Sequence, residues 1–475
     1  MHAVRSAVRA VAFVALPPVL AAIAACAGEK KVDTGSVQSG SPPSSSGKLA
    51  GTMPTLPPGF PTPVISGHIP TFVNSLPDSV NTPEMARPWF DYFSWESFIA
   101  LNWPADTVGR GNPYLPDSQS VFLNASNGGT VTWGTYKESY ELFAQGTARP
   151  TPFESWAVPV QPCRGVQPRQ KVMVMSSKGN SIMEESVEAF SLPLVDQDSN
   201  YVRYEIRYNR AQYDTIRGPD ADSTLWLYIA TNLAHHEPFQ MPWTDSAGRT
   251  GALMVKAAWK QMGPRDDTTR YLLAHAQVLN QNGTCSVQTM GLVGFHIAQK
   301  LQAFPEWIWS TFEHVSNVPG PGSVAPYSFN NGDSLPRTPT GWANKPSSDS
   351  LLPRNRRVPV QVTRLNPIPS TPASASTQWV NQLYQGLLAN TVWKNYELVI
   401  TQWPTTPNTF QQFGKGIYPA AAGQPFPVNG ATNTSAETYF QSQQDAYASG
   451  GNSCMQCHWD ASKSDFSWGL LRRAH

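Results

Sequence analysis

In 202-VRYEIRY-208, Val202, Tyr204, Ile206 and Tyr208 fall on one side of an extended chain, with Arg203, Glu205 and Arg207 on the other. A repeat of two marks a strand, because successive side chains point to opposite faces. The habit continues downstream. In 252-ALMVKAAWK-260, Leu253, Val255, Ala257 and Trp259 alternate with Met254, Lys256, Ala258 and Lys260. The runs 270-RYLLAHAQVL-279, 288-QTMGLVGFHIAQK-300 and 306-EWIWSTFEHV-315 follow, the first closed by Asn-Gln-Asn-Gly, a turn signal. Strands in succession, without helical pattern between them, predict an antiparallel sheet.

Around this sheet the helical signals are few. The stretch 94-SWESFIALNWP-104 reads as a short helix capped by Ser94 and stopped by Pro104. Val380, Leu383, Leu387, Leu388, Val392, Tyr396 and Val399 recur at helical spacing, with Pro404 beyond. Thr434-Ser-Ala-Glu437 has the capping-box pattern of a further short helix, ended by Gly450-Gly451. With 43 Pro and 34 Gly the connections are long loops. The expected class is α+β: an antiparallel sheet body over 68–375, a few packed helices, and a helical C-terminal segment over 376–475.

That last segment carries 451-GNSCMQCHWD-460, whose CxxCH ends seventeen residues before the final His475. The spacing has one dominant meaning. Thioether bonds from Cys454 and Cys457 fix one haem c, and the adjacent His458 is its proximal iron ligand. A thioredoxin-type CxxC needs a βαβ setting that the Gly-Gly-Asn-Ser lead-in does not suggest, and a zinc site wants four ligands, usually as two separated pairs, where no second Cys pair exists. Covalent haem implies an oxidising compartment.

The N-terminus agrees. Arg5 and Arg9 precede 11-VAFVALPPVLAAIAAC-26, an apolar run too short for a spanning helix with flanking anchors. Its end, Ile23-Ala24-Ala25-Cys26, resembles the lipobox of bacterial lipoproteins. The resemblance implies a signal peptide over 1–25, lipidation of Cys26 and anchoring to the bacterial envelope. Ala27 in place of aspartate is similar to the outer-membrane-sorted class. The alternative is an ordinary secretory signal with a chance cysteine. Residues 26–67, rich in Ser, Pro, Gly and Thr, read as a disordered tether. Of five cysteines, Cys163 and Cys285 remain, and in an exported protein they most simply form a disulfide; two separate buried thiols are the other reading.

Charged residues are 14%, with 34 Lys+Arg against 33 Asp+Glu, so no basic excess points to nucleic acid. The partners expected are the membrane, through the lipid, and a redox protein.

What the chain does turns on the sixth iron position. No methionine follows His458, and Met455 lies inside the attachment loop. A body residue, the terminal His475, or no protein residue at all then completes the site. His296 and His314 are the distal candidates, ahead of Met290, His275, His68 and the pair His235-His236.

The segments 255-VKAAWK-260, 291-GLVGFHIAQK-300, 307-WIWSTFEHV-315 and 453-SCMQCH-458 resemble a group of bacterial monohaem c-type cytochrome lipoproteins of unassigned role. That likeness implies haem but no reaction. CxxCH after a β-domain, followed by Asp465-Phe466, is similar to the cytochrome c prime-beta group. There an antiparallel sheet cups one haem whose distal side is open to small gases, and some relatives use a haem-linked lysine. Lys256 and Lys300, both on predicted strands, are the candidates for such a role; the plainer reading makes them solvated strand lysines. Three functions follow as expectations: a membrane-anchored one-electron carrier; a haem redox enzyme or gas-binding protein with an open distal iron site; or a surface lipoprotein in which the haem mainly staples the fold.

Overall fold

A computed structural model describes residues 56, 58–142, 150–156, 163–165, 171–173, 193–217, 240–244, 248–279, 284–332, 344, 358–405, 410–413, 416–419, 425–428, 430–441, 453–459, 461 and 464–469. All belong to one compact unit, Gly51–His475. Cys26, His235, His236 and His475 lie outside the described residues.

The strands are β1 (Lys137–Glu138), β2 (Lys171–Met173), β3 (Arg203–Tyr208), β4 (Leu253–Gln261), β5 (Leu273–Leu279), β6 (Cys285–Leu301), β7 (Phe304–His314), β8 (Tyr396–Pro404), β9 (Phe410–Phe413), β10 (Gly416–Pro419) and β11 (Pro425–Phe426). The helices are α1 (Pro83–Leu101), α2 (Gln119–Leu123), α3 (Ser139–Leu142), α4 (Arg210–Arg217), α5 (Thr377–Leu387) and α6 (Cys454–Trp459). An antiparallel sheet in the order β1-β3-β4-β6-β7-β8-β11 forms the body, with β5 beside β6 and β2 parallel to β5. β9 and β10 pair separately as a hairpin. The spine is β6, 17 residues long: β4 lies along one edge, and β5 and β7 share the other. The α+β class with an antiparallel sheet is therefore what the chain adopts.

One face of the sheet is covered by α1 and α5. Val255, Ala257 and Trp259 of β4, Phe295 and Ile297 of β6, Phe312 of β7 and Leu398 of β8 are buried there with Trp95, Phe98, Val380 and Tyr384. Phe98 stacks on Phe312 at 4.3 Å between centroids and Trp95 on Tyr384 at 5.2 Å. Ring packing of this kind adds to the area term that drives burial. Polar pegs set the register of helix on sheet. Asp91 of α1 accepts from Thr377 of α5 and Thr401 of β8, both at 2.7 Å, and burial pushes its carboxyl up to about 6.

Among the described residues, the other face is covered by chain without long helices. The register explains why both sides are dry. Ile206 pairs with Lys256, so the apolar side of β3 shares a face with the mixed side of β4. The charged side of β3 therefore lies with Trp259, on the helix-covered face. Arg207 and Lys171 each contact Glu205 at 2.7 Å, and Trp259 Nε1 donates to it at 2.8 Å. Burial raises the Glu205 carboxyl, but Arg207 and Lys171 outweigh it and hold it at about 2.

Several expectations are corrected. The helix expected from Val380 to Val399 ends at Leu387, and Tyr396, Leu398 and Ile400 belong to β8. No domain boundary falls at 375/376, because β8 is part of the same sheet as the body. Among its described residues the C-terminal segment is thus strand and loop more than helix, and 434–441 forms turns; 442–452 lies outside the described residues. Ser94 does not cap: α1 starts eleven residues earlier behind Thr82, whose hydroxyl accepts from Met85 N, and Ser94 is buried against Ser310 and Thr401. The tether does not reach 67, since Phe60 is buried edge-on to Trp89, Tyr92 and Trp379.

Cys163 and Cys285 form a disulfide, fastening a loop to the first residue of β6. Closing a loop of 122 residues stabilises the fold by roughly 4–5 kcal/mol in the chain-entropy picture. No described helix is long and apolar enough to cross a membrane.

Candidate haem attachment site

The CxxCH motif forms α6, a single helical segment laid on the sheet face away from α1 and α5. Gln402 of β8 anchors its start: Oε1 accepts from Met455 N at 2.8 Å, and Nε2 donates to Ser453 Oγ at 2.7 Å. Cys457 N closes the first turn on Ser453 O at 3.0 Å. Met455 points into the body, where it is buried with Ile206, Tyr208, Ala298, Trp307, Trp309 and Phe466. Cys454 and Cys457, three positions apart, and the adjacent His458 are half-buried on this short helix.

His458 is gripped on two sides. Its ring lies 4.4 Å from that of Trp309, and Nδ1 donates to Phe466 O at 2.7 Å. With Nδ1 as donor, Nε2 is the nitrogen that carries the lone pair, the tautomer a metal-ligating imidazole requires. The carbonyl that fixes it comes from an unusual turn: Asp465 (φ 52°) and Phe466 (φ 64°) are both left-handed without being glycine. Such residues cost about 1–2 kcal/mol each. The turn is held by Phe466 N on Ala461 O and by the Asp465 carboxylate, which accepts from Lys300 Nζ, Trp307 Nε1 and Met241 N.

Neither cysteine of the motif is in a disulfide. Burial first, then the Glu437 carboxylate, pushes the Cys454 thiol well above its ordinary pKa. A redox-exchange CxxC needs a thiolate stabilised by positive charge or a helix N-terminus. Cys454 opens α6, but burial and the Glu437 carboxylate outweigh what that position and Lys256 offer a thiolate, and the thioredoxin-type reading fits poorly. Among the described residues no group of three or more His, Cys, Asp or Glu side chains is arranged to hold a metal ion, so the zinc reading gains no further ligand. Two thiols outside any disulfide, followed by an imidazole of fixed tautomer, do fit a covalently held haem.

The segment 430–441 lies along the same face. Asn433 Nδ2 donates to Thr311 Oγ1 and Phe312 O, both at 2.9 Å, and Thr434 bonds Glu313 through both its N–H and its hydroxyl. Tyr204 Oη donates to Ser435 O at 2.6 Å. Gly294 makes this contact geometrically feasible: a Cβ there would stand 2.0 Å from Ser435 Oγ. The segment delivers Glu437, whose Oε2 lies 3.4 Å from His296 Nε2. His296 pairs across the sheet with Lys256 on one side and Thr311 on the other, and Lys256 is within electrostatic range of Cys454.

The two distal candidates thus part company. His296 shares the face of the motif. His314 lies on the helix-covered side, stacked on Tyr271 at 3.8 Å. Its Nε2 meets Arg270 O at 3.0 Å and its Nδ1 accepts from Ser316 N, so both ring nitrogens are already engaged. Burial pushes its pKa down to about 3. Met290 is also in the core under the helices. His275 and His68 are exposed, bonded to Thr289 and Asp117. Lys300 is not a solvated strand lysine: it is fully buried against Asp465.

Sequence reasoning found Cys454, Cys457 and His458 but missed Gln402, Trp309 and the role of Glu437. A strand glutamine or tryptophan carries no local signal; Glu437 stood out as a capping-box residue, but its carboxylate accepts from Asn433 N at 3.0 Å and not from Thr434 N, which donates to Glu313. No family model, no curated protein and no solved structure matches this chain.

Proposed function

We propose that this protein is a haem c-binding cytochrome of the bacterial cell envelope, lipid-anchored through Cys26, and that its role is one-electron transfer to a partner protein. Cys454 and Cys457 would hold the haem and His458 would ligate its iron. A haem bound there supplies a one-electron Fe(III)/Fe(II) couple. The observation that carries the reading is the hydrogen bond from His458 Nδ1 to Phe466 O, which orients the imidazole directly after two cysteines that are outside any disulfide. The chain's own residues do the rest. Gln402 fixes the start of the helix, Trp309 backs the imidazole, and Met455 and Phe466 keep water from the inner side. The motif is half-buried rather than enclosed, which leaves it within a partner's reach.

A second reading is favoured by one arrangement. Lys256, His296 and Glu437 gather polar groups beside Cys454, and Met455 is committed to the body. A haem redox enzyme or small-gas-binding protein with an open iron would use such a cluster to receive a polar ligand.

The optical spectrum of purified protein, oxidised and reduced, with and without carbon monoxide, separates the two. A reduced low-spin spectrum indifferent to carbon monoxide supports the carrier. A high-spin spectrum that changes with carbon monoxide supports the open site and rejects the carrier.

A further inference from the structure

We propose that the buried Lys300–Asp465 pair is a positioning device for His458: it pins the Asp465–Phe466 turn, so that the Phe466 carbonyl stays on Nδ1 and lowers the reduction potential of the bound haem. The inference rests on the haem reading of Cys454, Cys457 and His458 given above.

Three strained residues converge on one carboxylate. Asp465 (φ 52°) and Phe466 (φ 64°) form the turn, and Trp307 (φ 70°), whose Nε1 donates to Asp465 Oδ1 at 3.2 Å, is left-handed too. Bulky residues adopt that conformation only where their surroundings over-determine it, and such outliers gather at functional sites. Asp465 Oδ2 takes Lys300 Nζ and, at 2.6 Å, Met241 N. The donors come from β6, β7 and residue 241, so this carboxylate ties the turn to the rigid body as well as to its own loop. The next residue presents its carbonyl to His458 Nδ1 at 2.7 Å. A firm acceptor there raises the basicity of a ligating imidazole and favours the oxidised metal. Stability alone is a weak reason for the pair, since a buried ion pair is often replaceable by apolar residues of similar volume without loss.

The test compares haem-loaded native protein with D465N, W307F, K300R and the double variant K300M/D465L, reading midpoint potential beside melting temperature. K300M/D465L removes equal and opposite charges, so a shift there is not the field of a lone charge. The expected result is a higher potential in D465N and K300M/D465L. At the native midpoint, reduced haem would exceed oxidised by about tenfold, which for a one-electron couple is about 59 mV. W307F, losing one donor and no charge, should shift the same way by less, and K300R should keep the native potential. If D465N does not fold, W307F and the double variant decide. Variants that melt earlier yet keep the native potential would make the pair merely structural and overturn the inference. A native protein without covalent haem would sink the attachment reading, and this inference with it; a loaded native protein with unshifted variants sinks this inference alone.

Discussion

The two faces of the sheet are built from the same strands and held in different ways. Under α1 and α5, Val255, Trp259, Phe295, Phe312 and Leu398 meet Trp95, Phe98 and Tyr384 in a dry layer of rings. On the opposite face Lys256, His296, Thr311 and Glu313 meet 430–441, with α6 beside them, through named hydrogen bonds: Asn433 on Thr311, Thr434 on Glu313 and Gln402 on Met455. The first face is secured by area, which is non-directional and large. The second has apolar clusters of its own, around Trp307, Trp309 and Met455 and around Tyr204 and Tyr439, and adds to them bonds worth about 1 kcal/mol each, whose value lies in geometry. A stability layer and a placement layer thus share one backbone.

That contrast can be broken from either side. Trp95→Ala should give the largest loss, about 3–5 kcal/mol in denaturant unfolding, because Trp95 is fully buried, stacks on Tyr384 and bonds Asn381 through Nε1. Protein that still folds should keep its haem spectrum; a changed spectrum with little loss of stability would erase the division of labour. Gly294→Ala comes next. Its Cβ would collide with Ser435 Oγ, so about 1–3 kcal/mol is expected, together with a changed spectrum as Glu437 moves from His296. An unchanged spectrum would mean that 430–441 does not shape the site.

The smallest effect sharpens the comparison of the two histidines. His314 is held near pKa 3 in the fold by burial, against about 6.5 when unfolded. Between these values the unfolded chain binds one more proton, so this residue's contribution makes stability fall as pH drops from about 6.5 towards 3. In His314→Gln the slope of unfolding free energy against pH should be smaller in that window, by at most one proton. An identical slope would show that His314 is not kept neutral in the fold.

How much of this was legible in the sequence follows from range. The alternation in β3 to β7 is local, and the strands appear where it predicts them. The stretch 396-YELVITQWP-404 is a strand whose apolar residues also match a helical spacing with Val380 and Leu383, so period alone misread it. The motif Cys454-Met-Gln-Cys-His458 was plain. Its supports were not, because Lys300 meets Asp465 across 165 residues and Gln402 meets Met455 across 53. Lys300 looked like a surface lysine because the carboxylate that buries it arrives from the far end of the chain. His296 and His314 looked alike for a related reason: which face each occupies depends on the β6–β7 register and on what covers each side.

The central claim is that the half-buried face of α6 carries covalent haem. It is tested most directly by producing the native chain and C454S/C457S in a bacterial envelope with haem attachment machinery, then staining for haem after denaturing electrophoresis. The account predicts haem that travels with the native polypeptide and is absent from the variant, while the Cys163–Cys285 disulfide and the fold persist in both. Native protein without covalent haem, or a variant that retains it, would contradict the account.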